Sequence, residues 1–440
     1  MNEPVVAVAK LNDVKTVRAW YMFDWANSVY SLVITTAIFP IYYKAVAVEN
    51  GSDIVHFLGF PIQNSTLYTY ALSFSFLVVA AILPLLSGIA DYKGNKKTFM
   101  KLFVFTGSFA CMGLYFFTDI SRLEWAIFCS IFASIGYSGS LVFYDAFLPE
   151  IVTKDKYDIT SAKGYSMGYY GSVILMMACL VLIMNHESFG FVGKNGEGDA
   201  TRFSFLLVGA WWIGFSAIPF SILPNNVITN RTSDNSWTKG YEEIRRVWRS
   251  LKNSPELKKY LWAFFFYNMG VQSVMYLATL FGTDVLHLTS NDLIKTVIII
   301  QLVGALGAWM FARISNTLGN HRSLLIMIAI WIGICISAYF ILNAFQFYVL
   351  AFVVGMVMGG IQSLSRATYS KLIPEHTQDT ASYFSFYDVT YNLSIVIGTF
   401  SFGFINQITG TMRNSALGLA VFFVIGMIIL IRVRAQSIRR

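Results

Sequence analysis

Apolar runs of about 20 residues recur along this chain, separated by short polar breaks. Each has the length needed to cross roughly 30 Å of hydrocarbon. The runs are 22–45, 67–90, 98–118, 124–148, 162–184, 203–224, 260–283, 291–313, 323–343, 347–369, 380–406 and 412–432. Inside a bilayer the backbone must satisfy its own hydrogen bonds, so all twelve are predicted to be helices. The longest polar break, 225–259, falls between the sixth and seventh. The expected layout is therefore a tail (1–21), a six-helix bundle (22–224), a linker (225–259), a second six-helix bundle (260–432) and a basic tail (433–440).

Two short stretches repeat 225 residues apart. Asp91-Tyr92-Lys93-Gly94-Asn95-Lys96-Lys97 aligns with Asn316-Thr317-Leu318-Gly319-Asn320-His321-Arg322. In the same register, Tyr144 with Leu148-Pro149-Glu150 aligns with Tyr369 with Ile373-Pro374-Glu375. Two matches at one offset mark an internal repeat. Doubled membrane units about a central path are how many secondary transporters are built.

Composition agrees with this reading. The chain is 56% hydrophobic and 13% charged, where soluble domains carry roughly one quarter charged residues. Its mean hydropathy is +0.57. Lys and Arg crowd alternate loops, at Lys93, Lys96 and Lys97, at Lys154, Lys156 and Lys163, from Arg231 to Lys259, at Arg313 and Arg322, and at Arg366 and Lys371. The intervening loops hold only Arg122, Lys194, Arg202 and Arg413. By the positive-inside rule both termini are expected in the cytoplasm. The net charge of +8 is then a topology signal and not a nucleic-acid site. Cys111, Cys129, Cys179 and Cys335 all fall inside apolar runs, which argues against a disulfide framework. The first twenty residues are polar and mixed in charge, unlike a cleavable signal peptide. Asn64-Ser65-Thr66 matches a glycosylation sequon in an external loop, a pattern common by chance. The plasma (inner) membrane is expected in preference to an organelle membrane.

At this point the motifs carry a resemblance. Gly88-Ile89-Ala90-Asp91-Tyr92-Lys93-Gly94-Asn95-Lys96-Lys97 resembles the signature loop of the major facilitator superfamily. Four further segments resemble its vacuolar amino-acid-effluxer-like (autophagy-related) branch: Tyr21 to Ser28, Phe143 to Glu150, Ser161 to Tyr169 and Gly359 to Arg366. The resemblance covers about residues 20 to 430. It implies an all-α integral membrane protein with twelve transmembrane helices in two six-helix bundles. It also implies alternating access and, from fungal members, export of neutral amino acids. Two departures matter. Asn316 stands where the first loop has Asp91, so a charge lock is expected in one half only. The fourth run lacks the arginine that many proton-coupled exporters of the superfamily use, so proton coupling stays open.

Polar stripes suggest what lines the path. Asp24, Asn27, Ser28, Ser31 and Thr35 share one helical face by their spacing, as do Asn268, Gln272, Tyr276 and Thr279. Runs one, four, seven and ten line the cavity in this fold. The bland alternative is helix–helix hydrogen bonding, worth about 0.6 kcal/mol per contact in membranes. Thr35, Tyr137, Ser138, Gln272, Tyr276, Gln362 and Asn392 lie near the middles of their runs and are the candidate substrate-binding residues. They are neutral donors and acceptors, which suits a small polar or zwitterionic cargo.

Ionisable residues inside apolar runs default to a functional reading. Asp24, Asp145 and Arg366 are expected to form an inner gate, Arg366 pairing with Asp145 or Asp24; hydrated caps are the alternative for the two acids. Asp91 ends the second run. It could meet the positive end of a helix in the other half, near Thr380, or simply sit in a solvated turn. Asp388, buried without an obvious partner, is the candidate proton carrier. Gly164, Gly168 and Gly171, with Gly304 and Gly307, form small-residue faces for close helix packing. Between the bundles, Tyr241, Ile244, Val247, Trp248 and Leu251 make an apolar stripe, expected to lie on the inner membrane surface or to dock a partner.

A membrane enzyme would need a catalytic constellation, and none is legible. The five histidines (His56, His186, His287, His321, His376) fall in predicted loops without metal spacing. No cofactor is expected. The sequence predicts a monomeric secondary transporter of a small polar metabolite, neutral amino acids leading, working as an exporter with protons as a candidate coupling ion. Another solute class (sugar, peptide or lipid-like) or a non-transporting receptor or scaffold is the alternative.

Overall fold

A computed structural model describes residues 10–49, 51–224, 236–375 and 377–435. The expectations placed on residues 1–9, on 225–235, on His376 and on the last five residues lie outside it. Fifteen α-helices and one β-hairpin make up the described chain. The first span is α1 (Val14–Val29) continued by a π-helical stretch (Tyr30–Ile38) into α2 (Phe39–Val46). Thr36 donates its hydroxyl to the carbonyl of Ser31, five residues back, which supports the wider turn. The hairpin, unforeseen in the sequence, pairs β1 (Ile54–Phe57) with β2 (Phe60–Gln63). Leu58 and Gly59 both take positive φ at its tip, as a tight hairpin turn requires.

The remaining spans are α3 (Asn64–Lys93), α4 (Lys96–Gly113), α5 (Leu123–Asp145), α7 (Tyr157–Met184) and α8 (Gly196–Ile222) in the first half. The second half has α10 (Pro255–Leu286), α11 (Ser290–Leu318), α12 (Asn320–Phe340), α13 (Ala344–Leu372), α14 (Thr380–Thr409) and α15 (Met412–Ile431). Short α6 (Leu148–Ile151) follows α5, and α9 (Ser236–Asn253) lies between the halves. Eleven of the twelve spans are apolar enough to cross a membrane on composition alone. The exception is α10, whose stripe of Asn268, Gln272 and tyrosines lowers its hydropathy while its sides stay packed on α14 and α15.

Helix pairing repeats between the halves. α1 packs on α7 and α8, as α10 packs on α14 and α15; α4 packs on α5 and α8, as α12 packs on α13 and α15. The halves meet where α3 touches α14, and where α7 touches α11 and α13. Glycines allow the tightest crossings. A Cβ on Gly307 would stand 2.0 Å from the Met356 carbonyl oxygen, and one on Gly359 would stand 1.9 Å from that of Gly304. α11 and α13 therefore lie backbone to backbone. The start of α1, the end of α15 and the turns after α3, α5, α8, α11 and α13 share one end of the molecule, called here the basic end.

Three expectations need correction. Asn64 is not a glycosylation acceptor on a loop: it opens α3, is 1% exposed, and donates its amide to the Ala47 carbonyl at 2.7 Å. His321 is not in a loop but in the first turn of α12, bonded to the Leu430 carbonyl at 2.9 Å. Nor does the apolar stripe of α9 lie on a membrane surface as a unit. Val247 and Leu251 are buried, whereas Tyr241 and Trp248 are 63% and 59% exposed. The helix docks on α3 and α14, which come from opposite halves. Arg246 bonds Asp379 at 2.7 Å, Tyr383 donates to Ser250 at 2.8 Å, and a Cβ on Gly240 would strike Ile89. Protein packing took the strip that the amphipathic pattern offered to lipid.

Candidate functional site: a charge cluster below a polar belt

α13 carries Arg366 across the seam into the first half. Its Nη1 donates to Asp145 Oδ1 at 2.9 Å, and its Nη2 to Asp24 Oδ2 at 3.3 Å. Nε and Nη2 also reach the hydroxyl and carbonyl of Ser161, at 2.9 and 3.0 Å. The guanidinium lies 4.3 Å from the Tyr165 ring centroid, 4.8 Å from Trp20 and 5.4 Å from Tyr144. At 1% exposure, this cation is held by two carboxylates, one backbone carbonyl and three aromatic faces. Such a fork of donors is what Arg supplies and Lys cannot. Tyr144 donates to Asp24 at 2.5 Å, and Trp20 to the Tyr144 carbonyl at 3.0 Å. Gly164 makes the approach feasible: a Cβ there would be 2.3 Å from Asp24 Oδ2 and 3.0 Å from Arg366 Nη2.

Two further tiers tie the halves nearer the basic end. Asp91 accepts from the backbone amides of Ala381 and Ser382, at 3.2 and 2.7 Å. Those amides belong to the first turn of α14, where free N–H groups and the helix dipole favour an anion. Gly94, at φ 65°, ends α3 so that Lys96 turns back to Glu150, Thr380 and Asp91. On the other side of the seam, Asp158 of α7 accepts from Lys371 (2.8 Å), Asn320 (2.7 Å) and Ser315 (3.0 Å). This corrects the expectation of a lock in one half only. The loop bearing Asn316 does lack a carboxylate, but α7 supplies one from the facing side. Lys154 with Glu375 and Arg246 with Asp379 form the outermost ties.

Deeper in the fold the contacts are uncharged. Tyr169 donates to Gln362 at 2.7 Å across the seam. Asn268 donates to Ser394 at 2.5 Å, and Gln272 to Asn268 at 3.2 Å. Tyr137 and Tyr276 are electrostatic neighbours, and the Tyr276 ring stands 6.3 Å from Phe76. Ser138 is buried in α5, and Thr35 offers its carbonyl to Tyr68. Asp388 and Asn392 share a face of α14. Asn392 donates to the Asp388 carbonyl, but Asp388 Oδ2 and Asn392 Oδ1 are buried acceptors with no donor among the described residues. Asp388 also lies within electrostatic range of Asp145 and Arg366. A cavity of about 110 Å³ opens toward the other end of the molecule, with Ser31, Thr36, Ser273 and Thr279 among its walls. None of the seven candidate substrate residues lines it; Thr36, Ser273, Met275 and Leu277, next to Thr35, Gln272 and Tyr276, do, whereas Tyr137, Ser138, Gln362 and Asn392 lie away from its wall. Among the described residues no His, Cys, Asp and Glu cluster could hold a metal.

The model of a family described as vacuole effluxer Atg22-like matches residues 12–440. The chain belongs to the vacuole effluxer Atg22-like family. It is 30% identical over 418 residues to YxiO of Bacillus subtilis (strain 168), an uncharacterized MFS-type transporter, covering 94% of each chain. To autophagy-related protein 22-1 of Emericella nidulans it is 22% identical, covering 92% of this chain and 88% of that one. Among solved structures, the E. coli fucose:proton symporter FucP aligns with TM-score 0.69 at 12% identity, over 96% of this chain and 98% of that one. The human organic anion transporter MFSD10 (TETRAN) aligns at 0.69 and 10%, over 96% and 100%. This Atg22-like chain thus has the twelve-helix major facilitator fold and is an integral membrane transporter, not an enzyme.

Several residues of the Atg22-like site escaped the sequence reading. Trp20 lies before the apolar run where a helix was expected to begin, yet α1 starts at Val14. Ser161 and Tyr165 were visible only inside a motif. Lys371 read as an ordinary loop charge, and Asp158 stood out in no pattern. The 213 residues between Asp158 on α7 and Lys371 on α13 hid a contact that only folding creates.

Proposed function

We propose that this transporter carries a small zwitterionic metabolite, neutral amino acids first, by alternating access, and that it works as an exporter. The observation that carries the reading is the pair of buried, donorless acceptors Asp388 Oδ2 and Asn392 Oδ1 in a belt of neutral amides and hydroxyls. An ammonium group brings three donors and no acceptor, which is what such oxygens lack. The amide of Gln272 and the hydroxyls of Tyr137 and Tyr276 supply donors for a carboxylate. The family description, an effluxer, favours the outward direction.

In this reading the three charged tiers are the closed gate at the basic end. Among the described residues, the hydrogen bonds joining the halves run from that end only as far as Tyr169 and Gln362. Opening there breaks the Arg366 pairs, and Asp388 lies close enough to sense their loss. Asp388 is the proposed proton carrier, and the protein is proposed to act as a monomer. The alternating basic loops support cytoplasmic termini; a plasma (inner) membrane location is part of the same proposal.

The test is flux of a pooled amino-acid mixture into proteoliposomes, read by mass spectrometry with and without a pH gradient. Saturable uptake of particular members, weakened by Gln272→Ala, supports the reading. Flux equal to that of protein-free liposomes, with folded protein, rejects the amino-acid cargo and turns the search to sugars, peptides and lipids.

A further inference from the structure

A groove of about 1100 Å³ opens on the lateral surface near the basic end, between α1, α7 and α8 of the first half and α11 of the second. Its trough is apolar, with Met22, Met167, Tyr170, Leu306 and Trp309 along it, and Tyr170, Leu306 and Trp309 are exposed. Its rim is cationic. Lys15 and Arg18 of α1 and Lys163 of α7 line it, all three exposed. None of them forms an ion pair among the described residues. Lys163 rides 6.0 Å above the Tyr21 ring, and Arg313 of α11 stacks 4.0 Å from the Trp309 ring at the same mouth.

The acids around the groove do not cancel this charge. Asp13 is the single carboxylate in its wall among the described residues and is committed as the N-cap of α1, accepting from the Thr16 amide at 2.9 Å. Asp158, on α7, is buried and neutralised by Lys371. α8 contributes only Ile218 and Ile222. A row of free cations at the edge of a membrane-facing apolar trough matches one kind of molecule: a negative headgroup joined to an acyl chain.

We propose that this groove is a binding site for an anionic phospholipid of the surrounding membrane, its phosphate held by Lys15, Arg18 and Lys163 and one acyl chain laid along Met167 and Leu306. Basic pockets between transmembrane helices take anionic headgroups for this reason. The site straddles the seam. Beneath it Ser166 of α7 donates to the Ala305 carbonyl of α11 at 3.0 Å, and Ala162 packs on Ala308 and Ala312. A lipid spanning that seam touches both halves, so it favours the arrangement closed at the basic end.

The experiment is native mass spectrometry of the full-length protein extracted with phosphatidylglycerol or phosphatidylcholine of identical chains. The wild type retains phosphatidylglycerol about tenfold better, an advantage expected from a few basic groups near a phosphate. The triple variant Lys15→Ala/Arg18→Ala/Lys163→Ala loses that preference. Arg245→Ala/Arg249→Ala/Lys252→Ala, which removes three exposed charges from α9, keeps it. Should the triple variant unfold, Met167→Trp fills the trough without touching the charges and lowers retention of both lipids. Soluble glycerol phosphate does not displace the bound lipid. Equal retention of the two lipids by wild type, equal loss in the α9 variant, or displacement by glycerol phosphate overturns the proposal.

Discussion

Lys371 on α13 holds Asp158 on α7 at 2.8 Å, in a pocket completed by Asn320 and Ser315. The pair sits where the internal repeat predicts a counterpart of the Asp91 contact, but its carboxylate comes from the opposite wall. A lock between two surfaces needs one acid and one donor set. It does not matter to the energetics which surface bears the acid. The repeat can therefore lose Asp91's equivalent at Asn316 and keep the function of the contact.

Removing that acid should loosen the basic end. In Asp158→Asn, a cysteine placed at the buried Ser370 is expected to react with a membrane-impermeant maleimide several-fold faster than in the parent. The four natural cysteines are buried, so background labelling is low. The swap Asp158→Lys/Lys371→Asp should restore protection in part. Unchanged labelling in Asp158→Asn would remove this pair from the gate.

Arg366→Ala leaves Asp24 and Asp145 buried beside each other without a cation. Breaking a buried pair in this way costs about 3–5 kcal/mol, so the detergent-solubilised protein should melt at clearly lower temperature. Adding Asp24→Asn and Asp145→Asn should recover much of the loss in stability while transport stays absent. Arg366→Lys should be intermediate, because one ammonium cannot serve both acids and Ser161 together. A melting temperature that ignores Arg366→Ala would show that the cluster is hydrated and not buried.

Gly164→Ala tests the close approach of α7 to the cluster. The added methyl meets Asp24 Oδ2 at 2.3 Å, with Arg366 Nη2 and Trp20 at 3.0 Å. Overpacking of this kind costs about 1–3 kcal/mol. Gly214→Ala and Gly333→Ala have nothing within 4 Å of the new atom and serve as controls. Thermal shifts that fail to separate Gly164→Ala from the two controls would contradict the packing described.

Asp388→Asn should abolish flux driven by a pH gradient and spare counterflow exchange of substrate at matched pH. An amide keeps the polar volume and the acceptor oxygen but carries no titrating proton. Equal loss of both activities would mean that Asp388 serves cargo binding alone and does not carry the proton.

Length and periodicity in the sequence determined the spans, their pairing into two halves and the sharp turn at Gly94. Those features follow from local physics: hydrocarbon thickness, backbone hydrogen bonding and the conformations a glycine permits. Arg366 stood out for the same reason, because a cation in an apolar run demands a partner. What only the tertiary structure decided is which charges meet. Lys371 and Lys96 read as loop charges because Asp158 and Glu150, which they meet across the fold, lie 213 and 54 residues away. The same holds for the α9 stripe: an apolar face fits lipid or protein equally well, and the ends of α3 and α14 took it. Asn64 carries a sequon, yet its amide is spent on Ala47. In each case the residue's chemistry was fixed along the chain, while its partner depended on which helices the two halves brought into contact.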